Sequence, residues 1–429
     1  MTTTMSKPTK SMKYRIGCTL AYAYIFTSYV AQDLLISSRL NSIVLYIFLI
    51  FSAYLFLSKK PTTKIDLNKN GFFVWYIAFM IMSAVLMLFS PSISGVFNSF
   101  YSMGVALLVS MCLRTYTKTE NGFRNICRCY TFSSFAFIVL LFFTGNMSGS
   151  ADDRLGEQLL GNANIFASMM MFGTIFSIWL LVFDSPSILR KFIMLAIISF
   201  QIYSLMLSGG RKFLLIPFIF LYLLFMNKTN KKGKKHIIFY TLLFTVIIIF
   251  VWFLIMNVPV LYNSIGIRME GLIYNLQGVG GDSSSVLREQ LRNLAVKRWW
   301  QNPFVVYGFD SFKYYSLEMT GRFYYSHCNY TELLYNGGLL YLILYYSIFI
   351  VIMKRCFKNK ELPSKYKAFI IAVVISFLIF DYGAVSYNLT LEIMFLMLAY
   401  DISSFKKITC NGEKIDGENK DLCEFDIAR

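Results

Sequence analysis

The sequence predicts an all-α, polytopic membrane protein of about twelve transmembrane helices with one long external loop. Three observations predict it. The chain of 429 residues is 56% hydrophobic and 18% aromatic but only 15% charged, whereas a soluble globule carries about 25% charge. Apolar runs of about 17–22 residues recur along it, each long enough to cross a hydrocarbon core of roughly 30 Å. Its 41 Lys and Arg, against 23 Asp and Glu, fall in short clusters between those runs. That distribution is the positive-inside pattern, and it points away from nucleic acid despite the net charge of +18. The alternating pattern of a membrane β-barrel is absent.

Taken in order, the spans fall at 16–33, 40–57, 72–90, 95–113, 127–144, 162–183, 192–207, 212–226, 237–256, 330–353, 367–382 and 386–402. The basic start (Lys7, Lys10, Lys13, Arg15) leads into the first run without a small-residue cleavage site, so that run reads as an uncleaved span. With twelve spans, one side of the membrane receives 30 of the 41 basic residues and the other 11. Both termini are then cytoplasmic and the segment 257–329 is external. The chain divides into helices 1–5 (1–160), helices 6–9 (161–256), the external loop (257–329), helices 10–12 (330–402) and a cytoplasmic tail (403–429).

Cys127, Cys129, Cys356, Cys410 and Cys423 fall on or near the cytoplasmic side, and Cys18 and Cys112 in spans, so only Cys328 faces out. A disulfide framework is not expected. Cys127 and Cys129 lack the second pair or histidine that a zinc site needs. The spans hold few ionisable groups, chiefly Asp381 and Glu392, and no internal repeat is visible. An ion-coupled carrier usually shows both.

Polarity is concentrated instead in the external loop, which is too long to be a connector. Its middle, DSSSVLREQLRNLAVKRWWQNP, predicts an amphipathic helix capped by Asp282 or Ser283 and stopped by Pro303. Leu287, Leu291 and Leu294 form its apolar stripe, and Arg288 and Arg292 stand one turn apart on another face. With Trp299 and Trp300 as headgroup-level anchors, the helix is expected on or over the outer membrane face, with Arg292 toward the headgroups. The loop ends in YYSHCNYTELLYNGGLL, where His327 is one of two histidines in the chain. A titratable imidazole at the water–membrane boundary suits a base acting on a lipid-linked substrate, although helix capping would also account for it. The other histidine, His236, lies in the lysine run KKGKKHII and reads as interfacial.

Two further motifs face outward. SGGRKFLL places Arg211 and Lys212 at the mouth of a span, where positive-inside bias disfavours cations. Binding an anion through the guanidinium fork explains them; snorkelling is the alternative. GNANIFASMM opens a span with Asn162 and Asn164, which either cap its amides or touch a substrate. In the preceding SADDRLGEQL, Asp152, Asp153 and Glu157 are solvated charge or, less simply, a metal or sugar site.

These pieces, in this order, resemble the O-antigen polymerase and ligase superfamily of bacterial cell-surface polysaccharide assembly. GNANIFA is similar to its Asn-x-Asn opening, SGGRK to its Ser/Arg motif, and the block with Arg288, Trp299, Pro303, Gly308, His327 and Gly338 to its external loop and following helix. The resemblance covers roughly 160–345; the family often has His-Asn where this chain has His327-Cys328-Asn329. It implies a GT-C-like architecture and an inverting, metal-independent glycosyl transfer with undecaprenyl diphosphate as leaving group and no cofactor. Arg211 and Arg288 would hold the diphosphate and His327 would take the acceptor's proton, with Lys212, Arg292, Asn162, Asn164, Tyr330 and Glu332 in support. The implied function is the joining of lipid-linked repeat units into capsule, exopolysaccharide or O-antigen at the outer face of the bacterial cytoplasmic membrane. Its partners would be the lipid-linked donor and acceptor, membrane lipids, a chain-length regulator and a flippase, and no nucleic acid. Ligase-type transfer to another acceptor is the second reading within the superfamily. A lipid-linked oligosaccharide flippase or transporter is the alternative from another class.

Overall fold

Helix is dictated almost everywhere by apolar residues that must satisfy their own backbone, and helix is what forms. The computed structural model describes residues 12–31, 38–57, 70–147, 154–160, 163–184, 187–229, 234–277, 283–407 and 425–427. In chain order the helices are α1 (Met12–Val30), α2 (Ser38–Leu57), α3 (Gly71–Met87), α4 (Ile93–Thr117), α5 (Glu120–Phe143), α6 (Glu157–Leu160), α7 (Ala163–Phe183), α8 (Ile188–Leu207) and α9 (Arg211–Thr229). They continue with α10 (Lys234–Asn257), α11 (Pro259–Leu261), a π-helical turn (Tyr262–Gly266), α12 (Ile267–Leu276), α13 (Ser283–Gln301), α14 (Phe312–Thr320), α15 (Asn329–Lys358), α16 (Ser364–Asp381) and α17 (Thr390–Ile402). A short strand, Phe405–Lys407, pairs antiparallel with Phe425–Ile427.

Among the described residues each of the twelve apolar stretches is helical over most of its length. By length and composition six of these helices can cross a membrane: α4, α5, α7, α8, α10 from Ile237, and α15. The protein is thus a membrane-embedded helical bundle. Asn70, Ser92, Thr119 and Ser187 cap α3, α4, α5 and α8, each side-chain oxygen accepting a first-turn amide. Such caps contribute about 1 kcal/mol apiece. Helix α7 is the central post and is buried over most of its length, whereas α10 is peripheral and packs only one side, through Phe244, Ile247 and Val251, against the bundle. Around α7, Phe176 stacks on Phe395 at 4.4 Å and Phe172 meets the same ring at 4.6 Å, joining α7 to α17. Gln201 of α8 donates to Ser134 of α5 at 2.7 Å, the kind of interhelical bond that adds about 0.6 kcal/mol in a membrane bundle.

Because consecutive long helices run antiparallel, the ends sort into two sets. The end where α9 and α15 begin carries residues 257–329, and we call it the loop end. The opposite end is stapled by ion pairs. Arg114 Nε meets both oxygens of Asp401 at 3.0 and 2.9 Å, tying α4 to α17. Asp184 takes Arg124 and Arg128 at 3.0 and 2.9 Å, and Lys365 reaches Glu120 at 2.5 Å, tying α5 to the end of α7 and to α16.

The loop folds down onto the bundle. Helix α13 packs along α15, with Leu291 and Ala295 buried beside Phe312 and Tyr335 and with Leu287 and Leu294 packed against them. Its apolar stripe is therefore covered by the aromatic surface of α14 and the start of α15. Trp299 is half-buried; Trp300 remains 73% exposed.

Beneath the loop, Gly308 (φ +104°) lies so close to Phe89 and Ser90 that a Cβ would meet backbone at 2.6 Å. Phe309 donates its amide to Leu86 O at 3.1 Å, and Ser90 Oγ donates to Phe309 O at 2.7 Å. Asn336 accepts the Gly308 amide on its carbonyl at 3.0 Å and the Ser311 amide on its side chain at 3.3 Å. Next to it α15 breaks at Gly337 and Gly338, the latter at φ 70°, ψ −167°, a conformation essentially reserved for glycine.

Candidate functional site

The site grows from the turn between α8 and α9. Gly209 sits at φ +64°, and a Cβ there would lie 2.9 Å from the carbonyl of Ser264 in the π-helical turn. Only glycine lets the two backbones approach this closely. Ser208 Oγ accepts the amide of Gly210 at 3.3 Å, which completes the turn and starts α9 at Arg211. The Arg211 guanidinium donates to Ser285 Oγ at 2.8 Å and to the carbonyl of Arg268. It therefore bridges the SGGRK turn to the first turn of α13 and to α12. Arg288 follows Ser285 by one helical turn, on the same face.

Lys212 lies against α16 and the turn that follows it. Its ammonium lies over Phe213 and Phe380, 4.9 and 5.5 Å from the ring centroids. Its stem closes on Gly383, where a Cβ would meet Cδ at 2.9 Å. Asp381 and Glu392 supply the negative field it faces. Both acids are buried, at 1% exposure each. Asp381 accepts from Ser386 Oγ at 2.5 Å and Tyr346 OH at 2.8 Å.

His327 occupies a built turn. Its φ is +57°, uncommon outside glycine. Glu332 Oε2 accepts the Ser326 amide at 2.8 Å, while Ser326 Oγ donates to Cys328 O at 2.9 Å, so the residues on both sides are fixed. Burial, then the fields of Arg288, Lys212 and Arg292, push the imidazole down to about 4. It is thus neutral near pH 7 and able to accept a proton.

Of the residues expected from sequence, Lys212, Arg288 and Arg292 surround His327 at the loop end, and Arg211 joins them through Ser285, one turn before Arg288. Arg292 departs from expectation: its guanidinium lies over the Tyr382 ring at 5.0 Å and its charge reaches His327, so it turns inward, not toward headgroups. Glu332 acts through the Ser326 turn. Tyr330 faces the bundle, donating to Leu378 O at 2.8 Å and stacking on Tyr346 at 4.7 Å. Asn329 accepts the amides of Ser386 and Tyr387 at 3.0 and 3.2 Å and so pins the α16–α17 connection. Asn164 is not the cap of α7, since it lies inside the helix; its Oδ1 accepts from Arg154 at 3.3 Å. Glu157 is exposed on α6. Asn162, Asp152, Asp153, Asp282, Cys410 and Cys423 lie outside the described residues. Among the described residues no group of three or more His, Cys, Asp and Glu stands ready to hold a metal ion.

Sequence reasoning missed Arg154 and Arg268. Arg154 Nε donates to Ser208 O at 2.8 Å. Burial, followed by the fields of Arg268, Arg288 and Arg211 and against that of Glu157, brings Arg154 down to about 10. Four arginines from four segments thus converge, and Arg154 could have been found by the argument used for Arg211: a cation on the side where the charge bias disfavours one. The arrangement can hold a polyanion beside a neutral imidazole. No family model matches the chain, and no curated protein matches it.

Proposed function

We propose that this chain is a membrane glycosyltransferase using a polyprenyl-diphosphate-linked glycan, and specifically a polymerase that joins undecaprenyl-diphosphate-linked repeat units outside the cytoplasmic membrane. The observation that carries the reading is His327 in the fields of Arg288, Lys212 and Arg292, with Arg211 bonded to Ser285 one helical turn before Arg288, at one end of an apolar bundle. A lipid diphosphate needs cations at the depth of its own headgroup, and cations at the end of an apolar bundle support that reading. The acceptor hydroxyl attacks the anomeric carbon from the face opposite the diphosphate, so configuration inverts. As the new C–O bond forms, the C–O bond to the diphosphate breaks and its electron pair stays with the leaving phosphate. Arg211 and Arg288 stabilise that charge, and His327 accepts the hydroxyl proton.

The same reading takes all twelve apolar helices as spans, in a GT-C-like arrangement. The bias of 30 of 41 basic residues to one side puts both termini in the cytoplasm and the loop end outside. Lipid-linked donors dispense with a nucleotide-sugar site on the inner face, and none is suggested by the sequence there.

Purified protein in nanodiscs, given synthetic lipid-linked repeat units, tests the assignment. A ladder of lipid-linked polymer is the expected product. Transfer only to a different acceptor would make the protein a ligase. Movement of lipid-linked sugar across a vesicle membrane, without any new glycosidic bond, would overturn the enzyme reading.

A further inference from the structure

Resting on that reading, we propose that Arg154 is a positioning residue of the diphosphate site, which sets the Ser208–Gly210 turn and thereby aims Arg211 at the anion. Its guanidinium is spent on protein, with Nε on the carbonyl of Ser208 at 2.8 Å and Nη2 on Asn164 Oδ1 at 3.3 Å. The neighbouring Leu155 amide donates to Leu207 O at 3.3 Å, so two consecutive residues grip the end of α8. A Cβ on Gly209 would lie 3.3 Å from Arg154 Nε and 3.4 Å from Arg268 Cδ. Two arginine side chains thus lie against the glycine turn. Two residues beyond Gly209 stands Arg211, whose own bond to the Arg268 carbonyl closes the ring.

Arg154 therefore joins three segments that carry the site: the start of α7 through Asn164, the SGGRK turn through Ser208, and α12 through the shared glycine. Apolar packing would hold these segments at least as firmly, because a buried guanidinium beside like charges carries a large desolvation cost. A planar, charged clamp is warranted where the turn must be fixed in direction and where positive potential serves the bound anion. The side chain does not touch the ligand in this account; it acts through Arg211.

The experiment uses the full-length protein in nanodiscs and sugar-free undecaprenyl diphosphate as probe, with affinity and ligand-free melting temperature both measured. Arg154→Ala is expected to weaken probe binding about tenfold to a hundredfold, the loss of a charge-assisted bond or two. Arg154→Lys recovers less than half of that loss on a logarithmic scale, since an ammonium cannot serve both acceptors. Asn164→Ala weakens binding in the same direction, and the Arg154→Ala/Asn164→Ala pair is no weaker than Arg154→Ala alone. Wild-type affinity in Arg154→Ala or Arg154→Lys, with only a lower melting temperature, would overturn the proposal. So would strict additivity of the two substitutions. Should Arg154→Ala not fold, Arg154→Lys and Asn164→Ala decide. Arg211→Ala is the reference: if it also binds like wild type, the diphosphate reading itself fails. If it alone is defective, only the role of Arg154 falls.

Discussion

The guanidinium of Arg292 lies over the ring of Tyr382, 5.0 Å from its centroid. This contact ties α13, in the loop, to the turn that follows α16, and it delivers a positive charge to His327. A cation–π contact of this kind contributes about 0.5–1 kcal/mol where partly exposed. Arg292→Ala should therefore reduce kcat/KM modestly, by about three- to tenfold, and Tyr382→Leu should do the same through misplacement of Arg292. Tyr382→Phe should retain most of the activity because the ring face is kept. Loss of several hundredfold in Arg292→Ala would mean that it holds the diphosphate directly.

Arg211 and Arg288 should be far more sensitive. Removing a charged contact made to the leaving group in a partly dehydrated site costs about 2–4 kcal/mol of transition-state stabilisation, or roughly 30- to 1000-fold in rate. Lysine should rescue either poorly. At position 211 one ammonium cannot serve the Arg268 carbonyl, Ser285 and a phosphate at once. Initial rates with membrane levels matched by immunoblot check this, and wild-type polymer in Arg288→Ala would remove it from the site.

His327 makes a prediction with a sign. Burial and three neighbouring cations hold its imidazole down to about 4 in the free protein. A base works only when unprotonated, so kcat/KM should stay level from neutrality downward and fall as pH drops through about 4. A diphosphate bound as proposed would neutralise the same cations, so the acid limb of kcat should lie higher, nearer the ordinary value of about 6.5. Arg292→Ala should move the kcat/KM limb upward as well. His327→Ala should lower turnover by about 10²–10⁴-fold, with single lipid-linked repeat units accumulating. Activity in His327→Gln would assign the side chain to orienting the hydroxyl. A kcat/KM profile unchanged between wild type and His327→Ala would end its candidacy as base.

Much of this arrangement was legible in residues alone. Arg211 and Lys212 announced themselves as cations on the side that the charge bias disfavours, and His327 as a lone imidazole at a boundary. The helix 283–301 was readable from its stripe and from Pro303. Its resting place was not: whether Leu291 meets lipid or Tyr335 depends on a fold-back that periodicity does not encode. Asn164 read as a cap because Asn before an apolar run usually is one, and the competing acceptor role needed Arg154, ten residues upstream. Arg268 could not be singled out, since it contributes its backbone carbonyl and the flank of a glycine turn. Buried Asp381 and Glu392 were visible as charges within spans, but that their field reaches Lys212 is a matter of three-dimensional packing.

Gly338 should couple the loop to the bundle. Its φ of 70° and ψ of −167° break α15 just after Asn336, the residue whose carbonyl and side chain hold Gly308 and Ser311. Any side chain there incurs about 1–3 kcal/mol of backbone strain. A Cβ would find only the Pro303 carbonyl, at 3.8 Å, so the strain is conformational and not steric. Gly338→Ala should lower the melting temperature and reduce turnover together, because the stretch from Asn329 to Asn336 that follows His327 would be re-aimed. Substitution without effect on either would show that the kink is incidental.

The ion pair at the opposite end separates an enzyme from a carrier. Arg114 and Asp401 are nearly buried, with side-chain exposures of 12% and 3%, and they hold α4 against α17. Removing one partner leaves the other buried and uncompensated, at a cost of about 3–5 kcal/mol. Arg114→Ala should therefore melt at lower temperature while its turnover, assayed well below that temperature, stays near wild type, because the proposed reacting groups lie at the far end of the helices. A carrier must open each end in turn, and for it this pair would be a gate. Cysteines placed at 114 and 401 and joined by a short bis-maleimide, in a background lacking the other reactive cysteines, put the two cases in opposition. Polymer formation should continue in the cross-linked protein. Its arrest, reversed when a cleavable linker is cut, would show that the stapled end has to open and would favour transport over transfer.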